Sequence, residues 1–507
     1  MSRRSLLGAG PAIAVAATVA APPVAAAASR PGGRVPWSRL QNSLGGRLVL
    51  PADADYERAK RLASAQFDDV RPQAVAYCVS AADVAAALRF AQHYAVPRTV
   101  RSGGHNFLGW SSTEGLVIDV SRMHQVQVGP DRVRLGPGAQ AVDVLTATAP
   151  HGITVPSGFC PTVCPGGFVA GGGMGWQFRK YGPASDRLVA ARVVLADGRV
   201  VTASAGEHPD LFWALRGGGG GNFGVVTEFD LKPTVEPSVV MFTLNWPWDQ
   251  ALTVFSRWQQ WAEQTPPDLA PRAGLLLNDA KPGAVPTVIV TGVHLGHRAE
   301  ADALLDELVA LVGSAPSNRS VAELPYREAL MRQFGCGTST TEQCHLTGTN
   351  PEALLPRASF VLHRGRMIAD AVPDAGLAAM ITAFDADRRP GQYRWLGFTS
   401  LGKNANLVPP DATAWVHRDA TIFGLYTVGL PTPAPAAEEH AAAVAWAGGG
   451  FAAMEPHSSH RSYVNYPDAA LTDPALSYYG RNLSRLAAVK RRYDPHDCFH
   501  LPQGVRG

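Results

Sequence analysis

Gly158-Phe159-Cys160-Pro161-Thr162-Val163-Cys164-Pro165-Gly166-Gly167, running on to Gly171-Gly172-Gly173-Met174-Gly175, is the stretch on which the reading of this chain turns. A run so rich in glycine lets the backbone lie flat against a planar or extended ligand. A second cluster, Arg101-Ser102-Gly103-Gly104-His105-Asn106, directly follows Pro97-Arg98-Thr99-Val100, which reads as a strand. Consecutive glycines turn backbone N–H groups toward an anion and form a nest for phosphate. A phosphate-bearing cofactor that also carries a ring system would use both segments.

Commoner chemistries do not account for them. Gly219-x-Gly221-x-x-Gly224 matches the dinucleotide fingerprint by letter, but a helical stretch, Asp210 to Leu215, precedes it and a strand follows. The fingerprint requires strand, then glycines, then helix. No Gly-x-Ser-x-Gly nucleophile elbow is present, which weakens a hydrolase reading. His457 and His460 read as residues of a polar loop, and no metal site is expected.

The surrounding composition is that of a globular protein. In 507 residues, 45 Lys+Arg face 42 Asp+Glu, with 46% hydrophobic and 17% charged residues. The near-neutral balance excludes a dense nucleic-acid footprint. At the start, Arg3-Arg4 precedes an Ala-rich stretch that ends in Ala26-Ala27-Ala28, a small-residue cleavage pattern. Pro11, Pro22 and Pro23 interrupt that stretch, so residues 1–28 read as a twin-arginine (Tat) signal and not as a membrane span. The expectation is export in the folded state through the twin-arginine machinery, to a secreted or periplasm-equivalent location, with no membrane attachment once the signal is removed. Of six cysteines, Cys336 and Cys344 could close a small bridge, and Cys78 and Cys498 read as structural.

From about residue 65 to 230, short strands alternate with short helices: Ala74 to Val79, Leu116 to Val120, Val133 to Leu135, Val189 to Leu195 and Val225 to Leu231 are extended. Ser80 with Asp83 resembles a capping box that opens a helix to His93. The middle third carries longer helical patterns (Thr253 to Glu263, Arg298 to Val312, Pro373 to Asp387) between apolar strands, as in an α+β domain with helices on one sheet face. Pro474 to Arg492 reads as a final amphipathic helix whose apolar side includes Leu476, Leu483, Leu486 and Val489. No internal repeat is present.

Further segments complete the pattern: Tyr181-Gly182, Asp186, Asp210-Leu211-Phe212-Trp213-Ala214-Leu215-Arg216-Gly217-Gly218-Gly219, Asn222-Phe223-Gly224-Val225-Val226, Tyr463-Val464-Asn465-Tyr466, Tyr479-Gly480-x-Asn482 and Tyr493-Asp494-Pro495. Together with Arg-Ser-Gly-Gly-His at 101–105, Cys-Pro-Thr-Val at 160–163 and Gly-Gly-Gly-Met-Gly at 171–175, they resemble the berberine bridge enzyme-like FAD-linked oxidases of the vanillyl-alcohol oxidase superfamily. The resemblance implies an α+β fold. A PCMH-type FAD-binding domain of two α/β subdomains would span 35–235, and a C-terminal segment, 461–507, would rejoin it. A substrate domain, 236–460, would place a helix-covered antiparallel sheet over the flavin.

The resemblance also implies residue roles. FAD would be attached twice, through His105 and through Cys160, with Cys164 a second thiol within reach of the same ring. Arg101, Ser102, Gly103, Gly104, Asn106, Gly166, Gly167, Gly171, Gly172, Gly175, Asp186, Val225 and Asn465 would complete the FAD site. Val163 matches the family's gate beside the flavin and has the oxygen-permitting form. Tyr466 matches a tyrosine used as catalytic base, with Tyr463 its neighbour, and core tyrosines on a strand are the alternative reading. Free tyrosine has a pKa near 10, so a base role calls for a cation, and His417, Arg418 and Lys403 are candidates. Phe168 departs from the family, where His is common. Trp246, Trp248, Trp395 and Trp415 are either stacking surfaces or core.

The implied activity is hydride transfer from an alcohol, on an oligosaccharide or secondary metabolite, to FAD and then to O2, giving H2O2. A dehydrogenase, or an oxidase that closes a C–C or C–O bond, is the alternative within enzymes. A degenerate binding protein is the alternative outside them.

Overall fold

The computed structural model describes residues 35–507, so the expected signal over 1–28 lies outside the described residues. A four-stranded sheet begins the fold, ordered Arg47–Val49, Ala74–Tyr77, Leu116–Asp119, Arg98–Arg101. Its last three strands run parallel, as strands joined by crossovers do. The helix Ala81–His93 is one such crossover. Half of its expected capping box forms: the Asp83 N–H donates to Ser80 Oγ at 3.2 Å, whereas the Asp83 carboxylate accepts from the N–H of Val79, one residue before the cap, at 2.9 Å. The same carboxylate accepts from Gly45 N–H at 2.8 Å, tying the N-terminal strand to the helix start.

A second sheet of five antiparallel strands is ordered Val126–Val128, Val133–Leu135, Val225–Leu231, Leu188–Val194, Val200–Ser204. The helix Leu483–Tyr493 returns to this part of the molecule. Leu486, Val489 and Tyr493 join its core, and the Tyr493 hydroxyl donates to Asp210 at 2.7 Å. The sequence pattern read one helix from Pro474, but the structure has two, Pro474–Tyr479 and Leu483–Tyr493. Gly480, at φ +47°, breaks the run, and Asn482 donates its amide to the carbonyls of Pro410 and Thr413. Leu476 is consequently 54% exposed.

The third sheet is antiparallel with seven strands, ordered Asn318–Pro325, Ser238–Trp246, Thr287–His294, Leu269–Leu277, Tyr393–Ser400, Ile422–Leu430, Phe360–Ile368. Ala251–Gln264, Arg298–Val312, Asp374–Asp385 and Ala437–Met454 supply its helices. Side chains alternate between faces along a strand. Ala273, Leu275, Leu396, Phe398, Tyr426 and Val428 therefore enter the helix-side core. Arg272, Trp395, Thr399, Phe423 and His363 emerge on the opposite face and line a cavity. Of the four tryptophans considered as stacking surfaces, Trp246 and Trp415 are buried, Trp248 packs on the helix-side core, and Trp395 alone reaches the cavity.

Cys336 and Cys344 are disulfide-bonded, and Cys78, Cys164 and Cys498 are buried free thiols. Among the described residues no helix is long and apolar enough to cross a membrane.

Candidate active site

A cavity of about 880 Å³ runs between the glycine loops and the open face of the seven-stranded sheet. Its deep end is made of backbone. Ser102, Gly103, Gly104, His105 and Asn106 curve around it, with Gly104 at φ +69°, and their N–H groups meet no acceptor among the described residues. Asn106 Oδ1 accepts from Leu108 and Trp110 N–H at 2.9 and 3.2 Å, which holds the loop open. Gly166, Gly167, the segment Gly219 to Asn222, and Val225 complete this end. A Cβ on Gly167 would meet nothing within 4 Å, so bare space lies before it. Arg98 lines the same region with a buried Nε that has no partner. Free amides, a cation and bare backbone fit the phosphates of FAD.

Several residues expected in the FAD site support it from behind. Arg101 is buried away from the cavity; its guanidinium pairs with Asp119 and donates to the Ala59 carbonyl. Asp186 is held bidentately by Arg418, at 2.7 Å twice, and clamps the 413–418 segment to the FAD-binding part. Gly171, Gly172 and Gly175 do not line the cavity: a Cβ on each would collide with Asn465, Trp415 and the Ser157 carbonyl. These glycines are required by packing. Asn465 does line the cavity, and it donates to the Phe168 carbonyl at 3.1 Å and the Tyr463 hydroxyl at 2.8 Å.

His105 and Cys160 both line the cavity. His105 Nε2 lies 2.9 Å from Thr162 Oγ1, and Nδ1 has no partner among the described residues. Burial pushes the His105 pKa down to about 4, so the ring is neutral and its free nitrogen nucleophilic. Cys160 is exposed to the cavity, whereas Cys164 is buried with its thiol 3.4 Å from the Gly138 carbonyl and its pKa pushed up to about 12 by burial. A Cβ on Gly103 would come within 3.0 Å of Cys164 Sγ, so that thiol packs under the glycine loop. Val163 lines the cavity from the loop before the helix Pro165–Phe168. Phe168 sits where a Cβ on Gly173 would strike its ring at 2.7 Å, so the aromatic fills the space left by two bare glycines, 158 and 173.

At the sheet end stands Tyr466, ringed by Phe107, His363, Phe423 and Tyr463 at centroid distances of 5.1 to 5.8 Å. Its hydroxyl has no hydrogen-bond partner among the described residues. Burial raises its pKa, the Arg272 cation opposes the rise, and Cys160 adds to it. Tyr463 is differently placed: its hydroxyl accepts from Gly173 N–H at 2.8 Å and from Asn465, which ties it to the glycine loop. The cations expected near Tyr466 are engaged elsewhere. His417 packs against Trp415, Arg418 holds Asp186, and Lys403 donates to the Glu263 carbonyl.

Arg272 and His363 are cavity-lining residues that sequence reasoning missed, and Trp395 is the one of the four candidate tryptophans that joins them there. His363 Nδ1 lies 2.7 Å from Thr427 Oγ1, and burial pushes its pKa down to about 3, which keeps the ring neutral. The indole of Trp395 lies over Gly274 and Gly397, where any Cβ would come within about 2 Å of it. For Arg272 the only signal in the sequence was a lone charged residue in an apolar strand, and His363, set beside Arg364 and Arg366, gave none.

A glycine-lined phosphate cradle, a neutral histidine and an open thiol facing a tyrosine define a flavin-dependent oxidoreductase. Residues 72–204 match the family model for an FAD binding domain, and residues 462–506 match "Berberine and berberine like". The chain belongs to the berberine bridge enzyme-like FAD-linked oxidoreductases. It is 30% identical to an uncharacterized FAD-linked oxidoreductase of Bacillus subtilis (strain 168), YgaK, over 92% of this chain and 98% of that one. It is 28% identical to the glucooligosaccharide oxidase of Sarocladium strictum, over 91% and 94% of the two chains. The fold matches the structure of glucooligosaccharide oxidase from Acremonium strictum, described with a 6-S-cysteinyl, 8α-N1-histidyl FAD, at TM-score 0.80 and 23% identity, over 91% of this chain and 97% of that one.

Proposed function

We propose that this protein is an exported FAD-dependent oxidase with doubly attached flavin, which takes a hydride from an alcohol carbon of an oligosaccharide or secondary metabolite. FAD, when bound, accepts that hydride and passes two electrons on to O2, giving H2O2. The carrying observation is that Tyr466, with a hydroxyl that has no partner among the described residues, lines one cavity together with the open Cys160 thiol and with Arg272 of the sheet face. The unpartnered Nδ1 of His105 and the accessible Cys160 Sγ are the groups for the two bonds, the same pair of residue types named for the Acremonium strictum structure.

Oxidation of a secondary alcohol to a ketone releases one hydride and one proton. Tyr466 receives the proton from the substrate hydroxyl, as an alcohol cannot lose hydride efficiently while it keeps that proton. Arg272 favours the tyrosinate needed for this step. Phe107, Phe423 and Trp395 keep the cavity dry around the reacting carbon. Export is supported by Arg3-Arg4 and by the Cys336–Cys344 disulfide, which suits an oxidising compartment.

The test is the mass and visible spectrum of purified protein after acid denaturation, followed by anaerobic mixing with hydroxylated sugars and aromatics. Colour retained by the protein, bleaching by a substrate, and H2O2 formed mole for mole with O2 consumed are expected. Colour lost to the supernatant overturns attachment. A reduced flavin that ignores O2 makes the protein a dehydrogenase, and a product that has lost two hydrogens by closing a bond makes it a bond-forming oxidase.

A further inference from the structure

Arg272 differs from most of the enclosed arginines: it is at the sheet end of the cavity what Arg98 is at the cofactor end, a lining cation whose buried Nε has no partner among the described residues. Arg179 donates to the carbonyls of Ala262 and Leu269, Arg394 to those of Ala386 and Asp387, Arg366 pairs with Glu455, and Arg418 with Asp186. Arg272 makes neither kind of bond among the described residues, and its Nε is shut from solvent without an acceptor. Its guanidinium lies 4.8 Å from the Phe159 ring centroid and 5.8 Å from that of Trp395. Cation–π contact uses the face of a guanidinium, whereas its five N–H donors lie in the plane and stay unmet. Among the described residues no Asp or Glu lines the cavity. Enclosing a cation without a counter-charge is costly unless a ligand supplies one.

We propose that the substrate carries a carboxylate which Arg272 binds, so the protein oxidises hydroxylated acids. The proposal rests on the reading of this cavity as the substrate site of an alcohol oxidase. A carboxylate matches the planar fork of a guanidinium with two parallel N–H···O bonds, which the hydroxyls of a neutral sugar do not reproduce. The Trp395 indole, laid over Gly274 and Gly397 on the adjoining strands, offers a flat surface for the ring that bears the acid. Either a uronic-acid-ended oligosaccharide or an aromatic acid with a hydroxyl would bring this chemistry.

The experiment titrates the flavin-loaded protein with benzoate and with its neutral counterpart benzamide, reading the flavin absorbance without turnover. Benzoate should bind about tenfold more tightly, the scale of one charge-assisted hydrogen bond. The preference should vanish in Arg272→Met, persist in part in Arg272→Lys, and weaken with added salt in the wild type. Equal binding of the two probes by the wild type, or a preference that survives Arg272→Met, overturns the proposal. If Arg272→Met does not fold, Arg272→Lys and the salt dependence decide. Cellobiouronic acid against cellobiose, and 4-(hydroxymethyl)benzoate against its amide, then separate the two sources by which acid has the lower KM. If no pair bleaches the flavin while the benzoate preference holds, alcohol oxidation falls and the anion subsite stands.

Discussion

The two ends of the cavity are built by opposite means. The deep end is mostly backbone: amides of residues 102–106, bare glycines at 166 and 167, and the segment Gly219 to Asn222, in three short stretches of chain. The sheet end is side chain: Arg272, His363, Trp395 and Phe423 come from four different strands of one face. A cradle of backbone keeps its shape only while its glycines stay bare, whereas on a sheet face each side chain can be exchanged without altering the strand beneath it.

The largest effect expected at either end is at Tyr466. Tyr466→Phe should slow anaerobic flavin reduction by about a thousandfold with an unaltered flavin spectrum, and ordinary reduction would remove the base from the sheet end. At the other end, Cys160→Ala should lose the second flavin bond, read as a changed visible spectrum while the intact mass still carries FAD through His105, and Cys164→Ala should keep it. The reverse outcome would mean that the buried thiol reaches the ring after all.

Arg272 gives a smaller, pH-dependent contrast. Its charge holds the Tyr466 pKa below where burial alone would set it. In Arg272→Met the alkaline rise of flavin reduction should move to higher pH, with a rate about tenfold lower at a fixed pH below it, the effect of one pKa unit. An unmoved limb would separate the cation from the base. Val163→Leu should slow reoxidation by O2 more than reduction by substrate, and equal effects on both steps would place Val163 among packing residues.

The mildest effect concerns acid stability. His363 and His417 have pKa values lowered to about 3 by burial, so the folded protein binds fewer protons than the unfolded chain below the ordinary value of 6.5. Stability should therefore fall as pH drops from about 6.5 toward 3. His363→Gln should flatten that fall in a thermal melt; an unchanged slope would show that carboxylates dominate it.

The cofactor end was legible because its information is local. Arg101 to Asn106 and Gly158 to Gly175 stand as unbroken strings, and glycine repeated so closely serves either a turn or the close approach of backbone to a neighbour. Even there, the letters did not separate glycines that face the ligand from those that face Asn465, Trp415 or Ser157. Arg101 and Asp186 were equally ambiguous, since a charged residue in a loop motif serves a ligand or a buried ion pair. The strands of the seven-stranded sheet were legible as apolar runs, but their registry was not. Arg272 pairs across the sheet with Thr399, and His363 with Thr427, at separations of 127 and 64 residues that no local pattern encodes. Tyr466 was found by its motif, and its cation was missed for want of that pairing.

Trp395 and the two glycines beneath it make one unit of inheritance. An indole at 395 is permitted only while 274 and 397 stay bare, since a methyl group at either would occupy the indole's own volume. A library that varies 395 alone would widen the cavity and explore larger molecules. One that varies 274 or 397 alone would expel the indole into the lumen and close it. Descendants with a new specificity should therefore change the tryptophan first and acquire side chains at the glycines only afterwards.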